Sequence, residues 1–317
     1  MNVSQTITSK KVTIGFPKAL MYFQHGTLWE AFFKALGCTV VISRDTNKTI
    51  LDLGVRHCNN ETCLPVKVFH GHVLSLKDIV DFIFIPRYIS LEKNAFSCPQ
   101  FCGLPDSTQL NLKGNIKIIE IKIDLRNGMV KTQEDLKKLS QILSIPYETV
   151  KKTYSDIIGT TPVDNIQPRI KSINMHKNVA PTLIAVLGHP YMIYDSYLSM
   201  NLINKLSALG IIVVTAADID TDTKHKNAEP FNNRTFWSMG FDTLGSAYTY
   251  ISQPTLNGII YLTPFACGID SIVTEFIERR LRNKSTIHYL KLTMDEHTGE
   301  AGFNTRLEAF LDMVQVN

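Results

Sequence analysis

The chain has six cysteines, and four of them cluster as Cys58 with Cys63 and Cys98 with Cys102, leaving Cys38 and Cys267 apart. Thiolates bind soft transition metals and iron–sulfur clusters, so this grouping carries chemistry that composition alone does not produce. The two close pairs have the short spacing of a tetrahedral zinc site built from four cysteines. Zinc modules of that kind are small and need the metal to fold, whereas 317 residues can bury a large core unaided. A second grouping takes Cys63, Cys98 and Cys267, three residues far apart in sequence that only the fold would bring together. A 4Fe–4S cluster accepts such scattered ligands, and three cysteines leave one iron open to a substrate, a water or another ligand. A third reading makes the cysteines buried thiols that pack as small hydrophobes. It suits Cys38 best, at a helix–strand connection after Gly37.

Other polar residues stand close to these in sequence. Lys67 and His70 lie three apart in LPVKVFHGHV (64–73) and share one face of the helix expected there. Beside Cys63 they would offer positive charge to an anionic cluster or a phosphate, aided by the helix N-terminus; otherwise they form a solvated face. His189, Tyr191 and Tyr194 lie in LGHPYMIYD (187–195), a strand-end loop whose aromatic rings are wall-formers first. Asp295, Glu296, His297 and Glu300 crowd the start of LTMDEHTGEAGFNTRLEAF (292–310). Such a loop can serve acid–base or metal chemistry, but Asp295 or Thr298 can equally organise a turn, and the structural role is favoured. Thr305 and Glu308 have capping-box spacing for the last helix. No Walker A, Gly-x-Gly-x-x-Gly or Gly-x-Ser-x-Gly pattern occurs, which argues against ATP hydrolysis or dinucleotide binding by the usual fingerprints.

These residues need a scaffold. An apolar fraction of 44% and a charged fraction of 20% are those of a globular chain and exclude disordered and fibrous classes. A net charge of +4 is too mild to suggest a nucleic-acid partner. No window approaches the ~18 uninterrupted apolar residues of a membrane helix, and MNVSQTITSKK lacks the apolar core of a secretory signal. The expected compartment is the reducing cytoplasm, where clustered cysteines serve metal or redox chemistry rather than disulfides.

Strand-like runs alternate with helical patterns. Strands are expected at 12–16, 39–43, 79–85 and 116–123, with helices over 26–36, 46–54, 65–76, 133–143 and 147–158. Residues 159–181 hold three prolines and no clear period, and read as a linker. After it, strands are expected at 182–187, 211–215, 258–262 and 286–292, with helices over 195–209, 235–252, 270–281 and 305–316. This pattern predicts an α/β fold of two Rossmann-like domains, 1–158 and 182–317, with mainly parallel sheets and a cleft between them. Ligands of such sheets bind beyond the carboxyl ends of the strands. Cys98 and Cys267 each follow a strand and Cys63 opens a helix, so cysteines from both domains can meet in the cleft.

Six segments together resemble the activase-related branch of the 2-hydroxyacyl-CoA dehydratase / benzoyl-CoA reductase superfamily. They are IGFPKALMYFQHGTLWEAFFKALG, ETCLPVKVFHGHVLSLKDIVDFIFIPR, EKNAFSCPQFCGLPD, LGHPYMIYD, GIIYLTPFACGIDS and LTMDEHTGEAGFNTRLEAF, and they span about residues 11–313. The resemblance implies a 4Fe–4S cluster held between two α/β domains, with Cys63, Cys98 and Cys267 as its ligands by motif position. It also implies a separate ATP-driven activase as electron donor. The role implied is that of a reductase or dehydratase-like component acting on a small molecule or an acyl-CoA, in an oxygen-sensitive protein of anaerobic type, with a homodimer by analogy. Lys67, His70 and His189 are expected around the cluster. Cys58 and Cys102 fall outside the family pattern and are additional candidates only. Arg87 stands where some relatives carry cysteine, and Ile269 where a proline is expected. A double cubane would need more ligands than these, so a single cubane is the expectation. Two other readings stay open: a non-enzymatic electron-transfer or cluster-carrying partner, and a structural zinc protein using Cys58, Cys63, Cys98 and Cys102.

Overall fold

The computed structural model describes residues 11–113, 116–126, 132–159, 182–228, 237–282 and 287–315. The expected linker lies outside these residues, save for Gly159. The α/β class with mainly parallel sheets is borne out, since every strand pair among the described residues is parallel.

The first half builds β1 (Thr13–Phe16), β2 (Thr39–Ile42), β3 (Phe82–Phe84), β4 (Arg87–Ser90), β5 (Ile118–Ile119) and β6 (Lys122–Asp124). Four of these form a sheet in the order β2-β1-β3-β5, while β4 pairs with β6 alone. Its helices are α1 (Tyr22–Ala35), α2 (Lys48–His57), α3 (Leu64–Leu76), α4 (Pro99–Cys102), α5 (Leu104–Asn111), α6 (Gln133–Leu143) and α7 (Tyr147–Ile157). The second half builds β7 (Leu183–Gly188), β8 (Ile212–Val214), β9 (Gly258–Pro264) and β10 (His288–Met294) into one sheet, order β10-β9-β7-β8. Its helices are α8 (Pro190–Ile193), α9 (Leu202–Ala208), α10 (Thr221–Ala228), α11 (Ser238–Ile251), α12 (Gly268–Leu281) and α13 (Glu300–Gln315).

The central strands follow from their composition. β9 is buried at all seven positions, the continuous apolar run of a strand covered on both faces. It pairs with β7 through Ile184↔Gly258 and with β10 through Leu292↔Leu262. One apolar core includes Ile14, Phe33 and Ile83 together with Ile184, Ile260 and Phe303, so residues of both halves share it. A second core, with Leu187, Leu244, Tyr261, Val273 and Ile277, covers the other side of the β7–β9 pair.

Several elements depart from the sequence expectation for local reasons. The strand expected over 79–85 shrinks to β3, and Ile79 is left 64% exposed. The run 116–123 splits into β5 and β6, which belong to different sheets. The helix expected over 195–209 forms only as α9. Asp195 holds the preceding segment as a turn, its Oδ1 accepting from the N–H of Tyr197 (3.0 Å) and Leu198 (3.1 Å). Met200 and Asn201 then adopt left-handed φ values of 48° and 56°, which no helix continues through. The last helix starts at Glu300, and the Thr305 hydroxyl donates to the Ala301 carbonyl (3.1 Å) inside it instead of capping it. β4, α4 and α5, unassigned from sequence, close the loop that carries Cys98 and Cys102.

Two close backbone approaches position the functional segments. α2 and α3 cross at Gly54 and Gly71, where an added Cβ would lie 1.8 Å from the Lys67 carbonyl oxygen and 1.9 Å from that of Ile50. Gly188 ends β7 at φ +139°, with a would-be Cβ 2.4 Å from the Leu262 carbonyl oxygen. Only glycine fits there, and it turns the chain into His189.

Candidate functional site

Cys63, Cys98 and Cys267 occupy the same structural position in three elements: each is the N-cap of the helix that follows it, α3, α4 and α12 respectively. His189 is likewise the N-cap of α8. Proline in the first turn sets up three of these starts, at Pro65, Pro99 and Pro190. It costs no hydrogen bond there, and at Pro99 and Pro190 it directly follows the site residue, Cys98 or His189, and presses it into extended backbone. Cys267 is presented differently, by Ala266 at φ +63° just beyond β9.

Helix N-termini offer unpaired N–H groups to sulfur. The Asp270 N–H points at Cys267 Sγ (3.5 Å). The N–H of Val66 favours a thiolate at Cys63, and those of Gln100 and Phe101 do so at Cys98. Burial outweighs them in the free thiols, pushing Cys63 up to about 12 and raising Cys98. The charge of Cys267 raises both further, and that of Cys98 raises Cys63, so the three sulfurs lie within electrostatic reach of one another. Tyr191 is buried beside all three; burial and then the charges of Cys267, Cys63, Asp270 and Cys98 lift its phenol well above the usual value.

His189 joins this group. Its Nε2 lies 3.1 Å from Asp270 Oδ1 and 3.8 Å from Cys267 Sγ, and its ring stacks on Tyr191 with centroids 5.2 Å apart. Tyr261 donates its hydroxyl to the same Asp270 oxygen (2.8 Å). Burial alone would lower the imidazole pKa, but the Asp270 carboxylate and the neighbouring Cys267 raise it well above the ordinary value. His189 Nδ1 and Asp270 Oδ2 are both buried without a hydrogen-bond partner among the described residues. The ligating atoms of His189, Cys267 and Asp270 lie within 4.8 Å of one another, a spacing that can hold a metal ion.

The remaining sequence candidates are placed less centrally. Lys67 is only 2% exposed, and its Nζ pairs with Glu296 Oε1 at 2.6 Å, joining α3 to the loop before α13. His70 Nδ1 sits 2.9 Å from the Val66 carbonyl oxygen and 3.1 Å from Cys58 Sγ. A carbonyl can only accept, so Nδ1 carries the proton, and burial holds the ring below its ordinary pKa. His70 therefore offers a neutral imidazole, not the positive charge its spacing suggested. Cys58, at the C-terminal end of α2, is pushed up to about 11 by burial. Cys102 donates to the Tyr88 carbonyl (3.3 Å). Four thiolates on one zinc, at Zn–S of about 2.3 Å, would sit roughly 4 Å apart. Among the described residues, Cys58, Cys63, Cys98 and Cys102 form no such group. Arg87 forks between Glu120 (2.5 and 3.0 Å) and Asp106 (2.8 and 3.1 Å) and donates to the Cys102 carbonyl (2.6 Å), so it braces the segment leading from Cys98. Cys38 packs against the first core, and burial raises it to about 11. In the loop before α13, Asp295 Oδ1 accepts from the His297 N–H (2.9 Å) and the Thr298 hydroxyl (2.8 Å), the turn expected of it.

Residues 13–219 match the family described as the CoA enzyme activase uncharacterised domain (DUF2229). The chain belongs to this family. That membership bears out the activase-related resemblance, and the matched span holds Cys63, Cys98 and His189, while Cys267, Asp270 and the loop at 295–300 lie beyond it. No curated protein matches the chain. Among solved structures it is similar to a LacI family transcriptional regulator from Arthrobacter sp. FB24, at 11% identity and a TM-score of 0.20, covering 92% of this chain and 100% of that one. Among the described residues no helix is long and apolar enough to cross a membrane.

Proposed function

We propose that this protein holds one 4Fe–4S cluster on Cys63, Cys98 and Cys267. It would serve the CoA-dehydratase system as a reductase or dehydratase-like component fed by a separate ATP-driven activase. The observation that carries this reading is the arrangement of three cysteines, each heading a helix and each within electrostatic reach of the others. The donor set suits such a group: three half-buried thiols, N–H groups directed at sulfur, and apolar surroundings that limit water. When bound, the cluster would supply a low-potential electron. Cys98 packs against both cores and Cys267 against the second, so the two halves, read as domains 1–158 and 182–317, would clamp the group between them. His189, oriented by Asp270, stands beside Cys267 and would tune the sulfur through hydrogen bonding. A cytoplasmic, anaerobic setting follows from the same reading.

The test is anaerobic reconstitution followed by iron, sulfide and zinc analysis, with visible and EPR spectra before and after dithionite. About four irons and four sulfides per chain, with a reducible signal, are expected. Cys98→Ala should lose the iron, while Cys58→Ala and Cys102→Ala should keep it. Stoichiometric zinc without sulfide, or full iron in Cys98→Ala, overturns the assignment.

A further inference from the structure

A cavity of about 400 Å³ opens between the α2–α3 pair, the turn segment after Asp195 and the loop before α13. That is room for a small organic molecule. Leu64, Leu198 and Met294 give it apolar walls. All its charge is of one sign: Asp295, Glu296 and Glu300 line it, with no lysine, arginine or histidine among the lining residues. Two of these carboxylates are already neutralised from behind, Glu296 by Lys67 (2.6 Å) and Glu300 by Lys205 (2.7 Å). Asp295 makes no ion pair among the described residues; its Oδ1 is fixed by the Thr298 hydroxyl and the His297 N–H. Asp295 is therefore the lining carboxylate without a lysine partner among the described residues, and beside the apolar side chains of Leu64, Leu198 and Met294 it is complementary to a cation that carries its own hydrophobic surface.

We infer that this cavity binds a small organic cation, an ammonium group on a short apolar chain, with its head at Asp295 and its chain against Leu64, Leu198 and Met294. The same lining disfavours coenzyme A, whose phosphates would face carboxylates with no cation to receive them. Binding of the amine stands on the cavity alone. Its status as a substrate rests on the proposed function, the link being Leu64, a lining residue that directly follows Cys63 in the chain.

Calorimetric titration of the full chain, before and after iron reconstitution, tests this with n-pentylammonium, pentanoate and coenzyme A as probes. Pentylammonium should bind saturably at one site, and pentanoate, with the same chain and opposite charge, at least about tenfold more weakly. Asp295→Asn should weaken pentylammonium by about tenfold. Ser196→Phe, which fills the cavity from an exposed position on its lining, should abolish binding without changing the melting temperature. Pentanoate or coenzyme A binding as tightly as the amine, an amine that does not bind, or both variants binding like the native chain overturns the inference. Titration before reconstitution does not depend on iron, so loss of the cluster reading and loss of the cation site give separate results.

Discussion

The histidine–carboxylate pair beside Cys267 shows what single residues contribute here. His189 and Asp270 are both buried, and each is the other's main compensation for lost hydration. Removing one partner of such a pair leaves the other charge stranded, at a typical cost of ~3–5 kcal/mol. Asp270→Ala should therefore lower unfolding stability by about 3 kcal/mol in denaturant titration. A loss below about 1 kcal/mol would show that the pair is dispensable. Most of the site was legible at this scale, because cysteine and histidine are scarce and short motifs flank Cys63, Cys98, His189 and Cys267. Asp270 was not read as part of it. The signal existed, since Asp270 stands three residues after Cys267 in the first turn of α12, where acidic residues favour the helix N-terminus. A lone aspartate at that position has an ordinary capping explanation, and only the fold shows that it faces His189.

Among elements, α2 and α3 illustrate how backbone contact fixes a functional side chain. Their crossing at Gly54 and Gly71 leaves no space for a methyl group, and it holds Lys67, on the second turn of α3, against the loop before α13. Gly54→Ala would drive a Cβ into the Lys67 carbonyl, and the obstacle is backbone rather than a flexible side chain. A destabilisation of about 3 kcal/mol is expected, at the upper end for overpacking. Gly302→Ala is the control, because nothing lies within 4 Å of its would-be Cβ in α13. That substitution should stabilise the protein by about 0.5 kcal/mol through lost chain entropy. Equal melting temperatures for the two variants would refute the close-packing account. Sequence patterns located α3, α6 and α7 closely and α2 to within three residues; α6 and α7 each bury a stripe at helical spacing, through Leu136 and Leu139 and through Val150 and Tyr154, whereas α3 is buried on nearly every side. Periodicity failed over 195–209, where an aspartate side chain competing for backbone N–H groups and two left-handed residues stop a helix that the apolar spacing favours.

At the scale of the whole molecule, the alternation of strands and helices was readable, but the pairing between halves was not. Thr46 donates its hydroxyl to Asp195 across 149 residues of sequence, and Lys67 meets Glu296 across 229. No local pattern in one sequence specifies such partners. The Lys67–Glu296 pair gives the joint a definite pH response. Burial would raise the Glu296 pKa, but its hydrogen bond to Lys67 and further contacts hold it below the ordinary value of 4.5. A carboxylate depressed in the folded state stabilises the protein above its unfolded pKa and loses that contribution as the pH falls through the folded value. Glu296→Gln should accordingly cost about 2 kcal/mol at neutral pH, less than for a fully buried pair because Glu296 keeps 17% of its side-chain surface exposed. The difference between native and variant stability should stay constant from neutrality down to about pH 5 and then shrink toward zero as Glu296 is protonated in both folded and unfolded chains. Denaturant midpoints measured for both proteins across that range decide the matter. A gap that persists unchanged well below pH 4.5 would mean that the glutamine is disrupting the loop through packing, and that the two halves are joined there by something other than charge.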